Sequence, residues 1–246
     1  MMKTAFANLK GGAGKTTSAV SIADLLSARG HILIVDLDPQ GTLSAWTAER
    51  TEATRELLTG DFRPSEHVIS VREGLDVIPS NRSLERATRK RASKLASRLE
   101  RLWGAISGYD HVLVDTPPQA GELVTAALLS TDDVICPVAP GRGAVDGLIH
   151  LMDYIRRIGG ADLKAAFACN VDLRSKLHKQ VPSNLFEKLG EKASKYFVRS
   201  TVQIQEAETA SELPSDYCPG ATAWEDYKAL TADIYGFKTD AEGTHV

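Results

Sequence analysis

Two lysines bracket the glycine-rich run KGGAGKTT, in which Lys10, Gly11, Gly12, Ala13, Gly14, Lys15, Thr16 and Thr17 follow one another. Backbone without Cβ atoms can turn its N–H groups onto phosphate oxygens, and a helix beginning at such a turn adds partial positive charge. A lysine at the end of the run reaches the β- and γ-phosphates, and the hydroxyl after it ligates Mg²⁺. Lys15 and Thr16 occupy those two places. The usual pattern, G-x-x-x-x-G-K-[ST], also asks for a glycine where this chain has Leu9, and an extra cation, Lys10, stands beside the gap.

Acids recur at the ends of two further apolar runs. In IVDLDPQGT, Asp36 and Asp38 are spaced so that both project to one side of a strand, and Pro39 favours an extended exit into a loop. In VLVDTPPQAG, Asp115 ends the run in the manner of a Walker B acid, which holds Mg²⁺ directly or through water. Ligands of open α/β sheets bind outside the carboxyl ends of the strands, so these acids and the glycine loop are expected to converge.

The elements that must position them alternate regularly. Short apolar runs at residues 4–9, 31–37, 75–80, 111–116, 133–139 and 163–171 read as strands, several without polar alternation, as strands covered on both faces should be. Helices are expected at about 15–29, 82–106, 121–130, 143–158, 181–195 and 221–236. This rhythm predicts a single α/β domain over residues 1–246, with a mostly parallel twisted sheet covered by helices on both faces and a frayed polar tail from about residue 238. Apolar and charged fractions of 43% and 25% exclude a disordered or fibrous class. No apolar run approaches the roughly 18 residues of a membrane span, and the N-terminus has no signal-peptide pattern, so a cytoplasmic protein is expected. Cys136, Cys169 and Cys218 show no metal-site or redox spacing and read as reduced, buried thiols.

The net charge of −3 does not advertise nucleic-acid binding, but its distribution is uneven. Between Arg82 and Arg101 eight basic residues stand against two glutamates, and Arg82, Arg86, Lys90, Lys94 and Arg98 recur every four residues along the expected helix. Such a stripe follows a DNA backbone or simply keeps a surface helix soluble.

Together, KGGAGKTT, VDLDPQG and VDTPP resemble the deviant Walker A, switch I and Walker B motifs of the ParA/MinD family of P-loop ATPases. The similarity continues more weakly through DDVICPVAP and FVRSTVQIQEAETASELPSDY, where that family carries an I-x-x-x-x-x-x-E-A pattern near the nucleotide base. The resemblance implies a P-loop NTPase fold with ATP and Mg²⁺ as cofactors. It assigns Lys15 and Thr16 to phosphate and metal, Asp115 to the Walker B position, Asp36 to the metal shell and Asp38 to orienting the attacking water. It assigns Lys10 to the phosphates of a partner subunit's ATP, in the manner of an arginine finger. Asn170 resembles the asparagine that reads the adenine edge, although CNVD also fits a turn.

The tail lacks the basic amphipathic helix of MinD-like proteins, so no membrane partner is expected. The lone Cys136 does not supply the paired cysteines of the nitrogenase iron protein. A motif beginning at residue 10 leaves no room for an N-terminal helix-turn-helix domain, which points to the short ParA type. That type implies a homodimer formed on ATP, nonspecific DNA binding, a centromere-binding ParB-like adaptor, and plasmid or chromosome partition in the cytoplasm and on the nucleoid. Positions matching the family's basic surface are Arg174, Lys176 and Lys179, then Lys188, Lys192 and Lys195 with helical i, i+4, i+7 spacing, and Arg199, with Arg86 and Lys90 added from the stripe. The alternatives are positioning of a protein cargo on the same track and a metabolic P-loop enzyme such as the dethiobiotin synthetase type.

Overall fold

Aliphatic runs form strands here because each places alternate side chains in cores on opposite sides of one sheet. The computed structural model describes residues 1–60 and 62–238; the tail expected to fray otherwise lies outside the described residues. Its strands are β1 (Met2–Phe6), β2 (Ile32–Asp36), β3 (Ile69–Arg72), β4 (Leu75–Ile78), β5 (His111–Asp115), β6 (Asp133–Val138) and β7 (Asp162–Ala168). They form one sheet in the order β3-β4-β2-β5-β1-β6-β7. Every neighbouring pair is parallel except β3 with β4.

The helices are α1 (Lys15–Ser27), α2 (Thr42–Thr47), α3 (Ala53–Thr59), α4 (Ala92–Ala105), α5 (Glu122–Ser130), α6 (Ala144–Ile158), α7 (Lys176–Leu189), α8 (Gln203–Ala210), α9 (Pro214–Tyr217) and α10 (Thr222–Tyr235). Ile32 and Ile34 pack with Phe6, Leu113 and Phe167 under α1 and α10, whereas Leu33 and Val35 pack with Val112 and Val114 under α3, α4 and α5. Further along the second face, Val134, Cys136 and Val138 meet Leu148 and Leu151 of α6 and Val181 and Leu185 of α7. All three cysteines are free and buried, as expected.

Four features differ from the sequence expectations. Strand β3 was not expected: it is a short, half-exposed edge strand that a turn at Gly74 folds back on β4. The short helices α2, α3 and α8 also escape a periodicity argument, because a run of two turns is too brief to show a 3.6-residue repeat.

The basic segment is not one helix. Residues Arg82–Arg89 form a 3₁₀ helix, Lys90 and Arg91 are extended, and α4 begins at Ala92, whose N–H donates to the Glu122 carboxylate. The stripe through Arg82, Arg86, Lys90, Lys94 and Arg98 is therefore broken, and the Lys90 ammonium donates to the Thr59 carbonyl at 3.3 Å.

The expected helix 181–195 also breaks. It starts earlier, at Lys176, with Ser175 as its cap, and runs through Pro182. It ends where Gly190 adopts φ 56°, so Lys192 and Lys195 lie beyond it and do not share a helical face with Lys188.

At Gly74, with φ 77°, an added Cβ would stand 2.4 Å from the Ser27 carbonyl oxygen of α1's last turn. Backbone on both sides leaves nothing flexible to yield. Gly74→Ala is expected to cost at least about 2 kcal/mol, read as a lowered urea midpoint at unchanged slope.

Candidate functional site

The site is built where three strands end level. Phe6 of β1 and Asp36 of β2 both sit opposite Asp115 of β5, so the glycine loop and two acids emerge side by side. The loop closes through Gly12 at φ 68° and Gly14 at φ 86°, values that favour glycine. Beneath it the Cys169 thiol donates to the Ala13 carbonyl at 3.1 Å, and a Cβ on Gly14 would meet that sulfur at 2.8 Å.

Lys15 opens α1 and is 7% exposed. Burial lowers its pKa from the ordinary lysine value, while Asp115 and then Asp38 favour its charge. The Thr16 hydroxyl donates to Asp115 Oδ2 at 2.6 Å. Asp115 Oδ1 is buried and has no partner among the described residues. Burial, followed by the neighbouring Asp36 charge, pushes Asp115 up to about 8. A wholly buried carboxylate with one orphaned oxygen, beside a hydroxyl, is a hard oxygen donor set that fits Mg²⁺.

Asp36, expected in the metal shell, also anchors the loop that follows it. It accepts from Asp38 N at 2.9 Å, Ser44 N at 3.0 Å and Ser44 Oγ at 2.5 Å. Its oxygens hold the following loop together, and burial pushes its pKa up to about 6. Asp38 is half-buried, and its carboxylate accepts from Gln40 N at 2.9 Å in a tight turn. Its charge favours the protonated form of Lys15.

The Lys10 backbone N–H donates to Asn8 Oδ1 at 3.0 Å, and Asn8 Nδ2 donates to the Pro137 carbonyl at 2.8 Å. The Lys10 ammonium lies over Gly141, 3.1 Å from where a Cβ would be, and has no ion-pair partner among the described residues. Asn170 follows β7 with φ 56°, the turn conformation, and also lines a cleft of about 250 Å³ with Gly12, Gly14 and Thr17.

Several of the expected DNA-contact residues are engaged within the chain. Arg199 is committed within the chain: Nε and Nη2 donate to the wholly buried Asp226 at 2.7 and 2.8 Å. Lys195 lies 3.9 Å from Asp233 and over the Tyr196 ring. Arg174 is exposed but forks onto Asp172. Lys176, Lys179 and Lys188 are exposed on α7, and Arg86 is exposed on the 3₁₀ segment.

Several neighbours were invisible in the sequence. Ser44 ties Asp36 to Ser80, and Tyr227 of α10 shares a 3.0 Å hydrogen bond with Ser18 of α1. No spacing signals pairs separated by tens or hundreds of residues.

Asp36 and Asp115 make the metal-free protein pH-sensitive. Both hold protons in the fold that the unfolded chain, at 3.8, has released, so stability falls as pH rises through the window from about 4 to about 8. Thermal melts without metal should show a lower midpoint at about pH 8.5 than at about pH 5.5, and Asp115→Asn should flatten that slope.

Residues 1–168 match a family model described as an AAA domain. The chain is 29% identical over 239 residues to the chromosome-partitioning ATPase Soj of Thermus thermophilus, with 94% of each chain covered. Its fold matches that of a McdA variant from Cyanothece in complex with ATP, with a TM-score of 0.85, 21% identity and coverage of 97% and 98%. It also matches cobyrinic acid a,c-diamide synthase from Mycobacterium smegmatis bound to an ATP analogue and magnesium, with a TM-score of 0.70, 27% identity and coverage of 86% and 91%. No helix among the described residues is long and apolar enough to cross a membrane. With its displaced loop lysine and level strand-end acids, the chain belongs to the ParA/MinD family of P-loop ATPases, within the AAA-domain family its first 168 residues match.

Proposed function

We propose that this chain is a ParA-type partition ATPase that dimerises on ATP, binds DNA without sequence preference and releases it on Mg²⁺-dependent hydrolysis stimulated by a ParB-like partner. The observation that carries this reading is the contrast between two lysines of one loop. Lys15 is buried and balanced by Asp115 and Asp38, whereas Lys10 lies at the rim over Gly141 with no ion-pair partner among the described residues. A cation left uncompensated beside a phosphate loop suits anionic groups brought by a second copy.

Within one subunit, the glycine-loop N–H groups and Lys15 hold the phosphates, Thr16 and Asp115 Oδ1 hold Mg²⁺, and Asp38 orients the attacking water. Bound Mg²⁺ supplies charge neutralisation at the phosphate oxygens. Lys10 completes the partner's site, which makes ATP part of the dimer interface. Lys176 and Lys179 of α7, one turn apart, are the favoured DNA contacts. Arg174, Arg199, Lys90 and Lys195 leave that set because their cations are engaged within the chain.

The match to cobyrinic acid a,c-diamide synthase favours one second reading, a metabolic enzyme that uses ATP on a small molecule. Positioning of a protein cargo is the alternative within the partition reading, and the identity of the stimulating partner separates the two.

The discriminating experiment is binding of random duplex DNA with and without ATP, alongside analytical ultracentrifugation. ATP-dependent binding supports partition, and its absence at low salt favours the metabolic enzyme. Lys10→Ala should abolish ATP-dependent dimerisation or hydrolysis while ATP still binds. Asp38→Ala should trap an ATP-bound dimer, and loss of nucleotide binding in that variant refutes its role. Charge reversal at both Lys176 and Lys179 should weaken DNA binding and lower the salt slope by about 2, with ATP affinity unchanged.

A further inference from the structure

The turn that carries Asp38 is held from two strands. At the end of β2, Asp36 Oδ1 accepts from Asp38 N at 2.9 Å. From beyond the end of β4, Ser80 Oγ donates to the Asp38 carbonyl at 3.2 Å. Ser80 has no exposed surface, and its own N–H donates to Ser44 Oγ at 2.7 Å, so its place is fixed by the same loop that it holds. Loop and strand end approach closely here: a Cβ on Gly41, at φ 62°, would stand 3.0 Å from the Ser80 carbonyl oxygen.

The two carboxylate oxygens of Asp38 are unequal. Oδ1 accepts from Gln40 N at 2.9 Å, whereas Oδ2 makes no hydrogen bond among the described residues, and Asp38 is only half-buried. A carboxylate with one oxygen engaged in its own turn and the other open is suited to accept from a single water. Where the open oxygen sits depends on how the Asp38 backbone is held. The other bond to its carbonyl, from Gly41 N at 2.9 Å, lies within the turn, so it shapes the turn without tying it to the sheet.

We propose that Ser80 is a positioning residue for ATP hydrolysis, whose hydroxyl fixes the Asp38 peptide from the β4 side and thereby holds Asp38 Oδ2 where it accepts from the attacking water. This rests on the ATPase reading above and adds to it a residue that lies in none of the three sequence motifs. Without the Ser80 hydroxyl the Asp38 peptide pivots on its bond to Asp36, and a displacement of about 1 Å at a reacting group costs up to ~10²-fold in rate. Ser80 is also the member of this network whose role separates from stability. Loss of the Ser44 hydroxyl would strip a hydrogen bond from buried Asp36 and leave the Ser80 N–H without its acceptor. Loss of the Ser80 hydroxyl leaves the Asp38 carbonyl still bonded to Gly41 N, so no buried polar group is orphaned.

The test measures the rate of hydrolysis at saturating ATP, equilibrium ATP binding and thermal melts for the full chain and for Ser80→Ala, Ser80→Thr and Thr54→Val. Thr54 is the control: it is 1% exposed, and its hydroxyl donates at 2.9 Å to the carbonyl of Pro79, the residue before Ser80. Ser80→Ala should lower kcat by ~10-fold with ATP affinity unchanged, and should lengthen the life of the ATP-bound dimer. Ser80→Thr keeps the hydroxyl and should return kcat to within about 2-fold of the unaltered chain. Thr54→Val should lower the melting midpoint and leave kcat as it was. A Ser80→Ala protein that hydrolyses ATP at the unaltered rate overturns the assignment, as does Ser80→Thr at the Ser80→Ala rate in a protein that melts normally. An equal loss of kcat in Thr54→Val overturns it too, since the rate would then follow packing at the end of β4 and not the hydroxyl. Failure of the unaltered chain to bind ATP overturns the ATPase reading instead.

Discussion

Asp115 lies at the end of a central strand between two others, with no exposed surface and one oxygen without a partner among the described residues. A carboxylate in that position is costly unless charge is brought to it. Thr16 supplies one hydrogen bond, Lys15 supplies a cation, and the remaining oxygen is the one assigned to Mg²⁺ in the proposed function. Much of the nearby architecture follows from this requirement. The parallel register sets Phe6 and Asp36 level with Asp115, so the loop after β1 and the acid of β2 cannot avoid the same small volume. Lys15 is buried by the same geometry, and each group keeps the other's charge tolerable.

The loop after β2 shows how such a site is held ready. Asp36 binds Ser44 through backbone and side chain, Ser44 Oγ accepts from Ser80 N at 2.7 Å, and Ser80 Oγ donates to the Asp38 carbonyl at 3.2 Å. This chain of bonds ties the loop carrying Asp38 to the end of β4. Breaking one member leaves buried polar atoms unsatisfied, so the network resists partial loosening. On the opposite side of the phosphate loop, Tyr227 and Asp226 are consecutive residues of α10. One is bonded to Ser18 of α1 and the other to Arg199, so the last helix braces two parts of the wall of the cleft beside the glycine loop.

Positive charge is handled unevenly across the molecule. Arg101 lies over Phe62, Arg199 is locked to Asp226, and Lys90 caps the carbonyl end of α3. Each uses its charge or its flat face to stabilise a neighbour. The lysines of α7 are exposed, and Lys10 stands over a glycine. Counting cations along the sequence cannot separate these groups, because the partners that claim a cation come from distant elements.

What was legible from residues alone was local or periodic. Continuous apolar runs and their spacing identified six of the strands, because a strand covered on both faces must be apolar throughout. The glycine loop and Asp115 were legible because phosphate and metal chemistry demand those residue types at a strand end. Tertiary structure decided the rest. It gave Asp36 the task of anchoring the next loop, since the partners that use its oxygens meet it only when the chain folds back. It broke the basic stripe at Lys90 and ended α7 at Gly190, where contacts and a positive φ outweigh helical periodicity. It also brought Ser80 to the carbonyl of Asp38, a meeting that no spacing encodes because separation along the chain says nothing of separation in space.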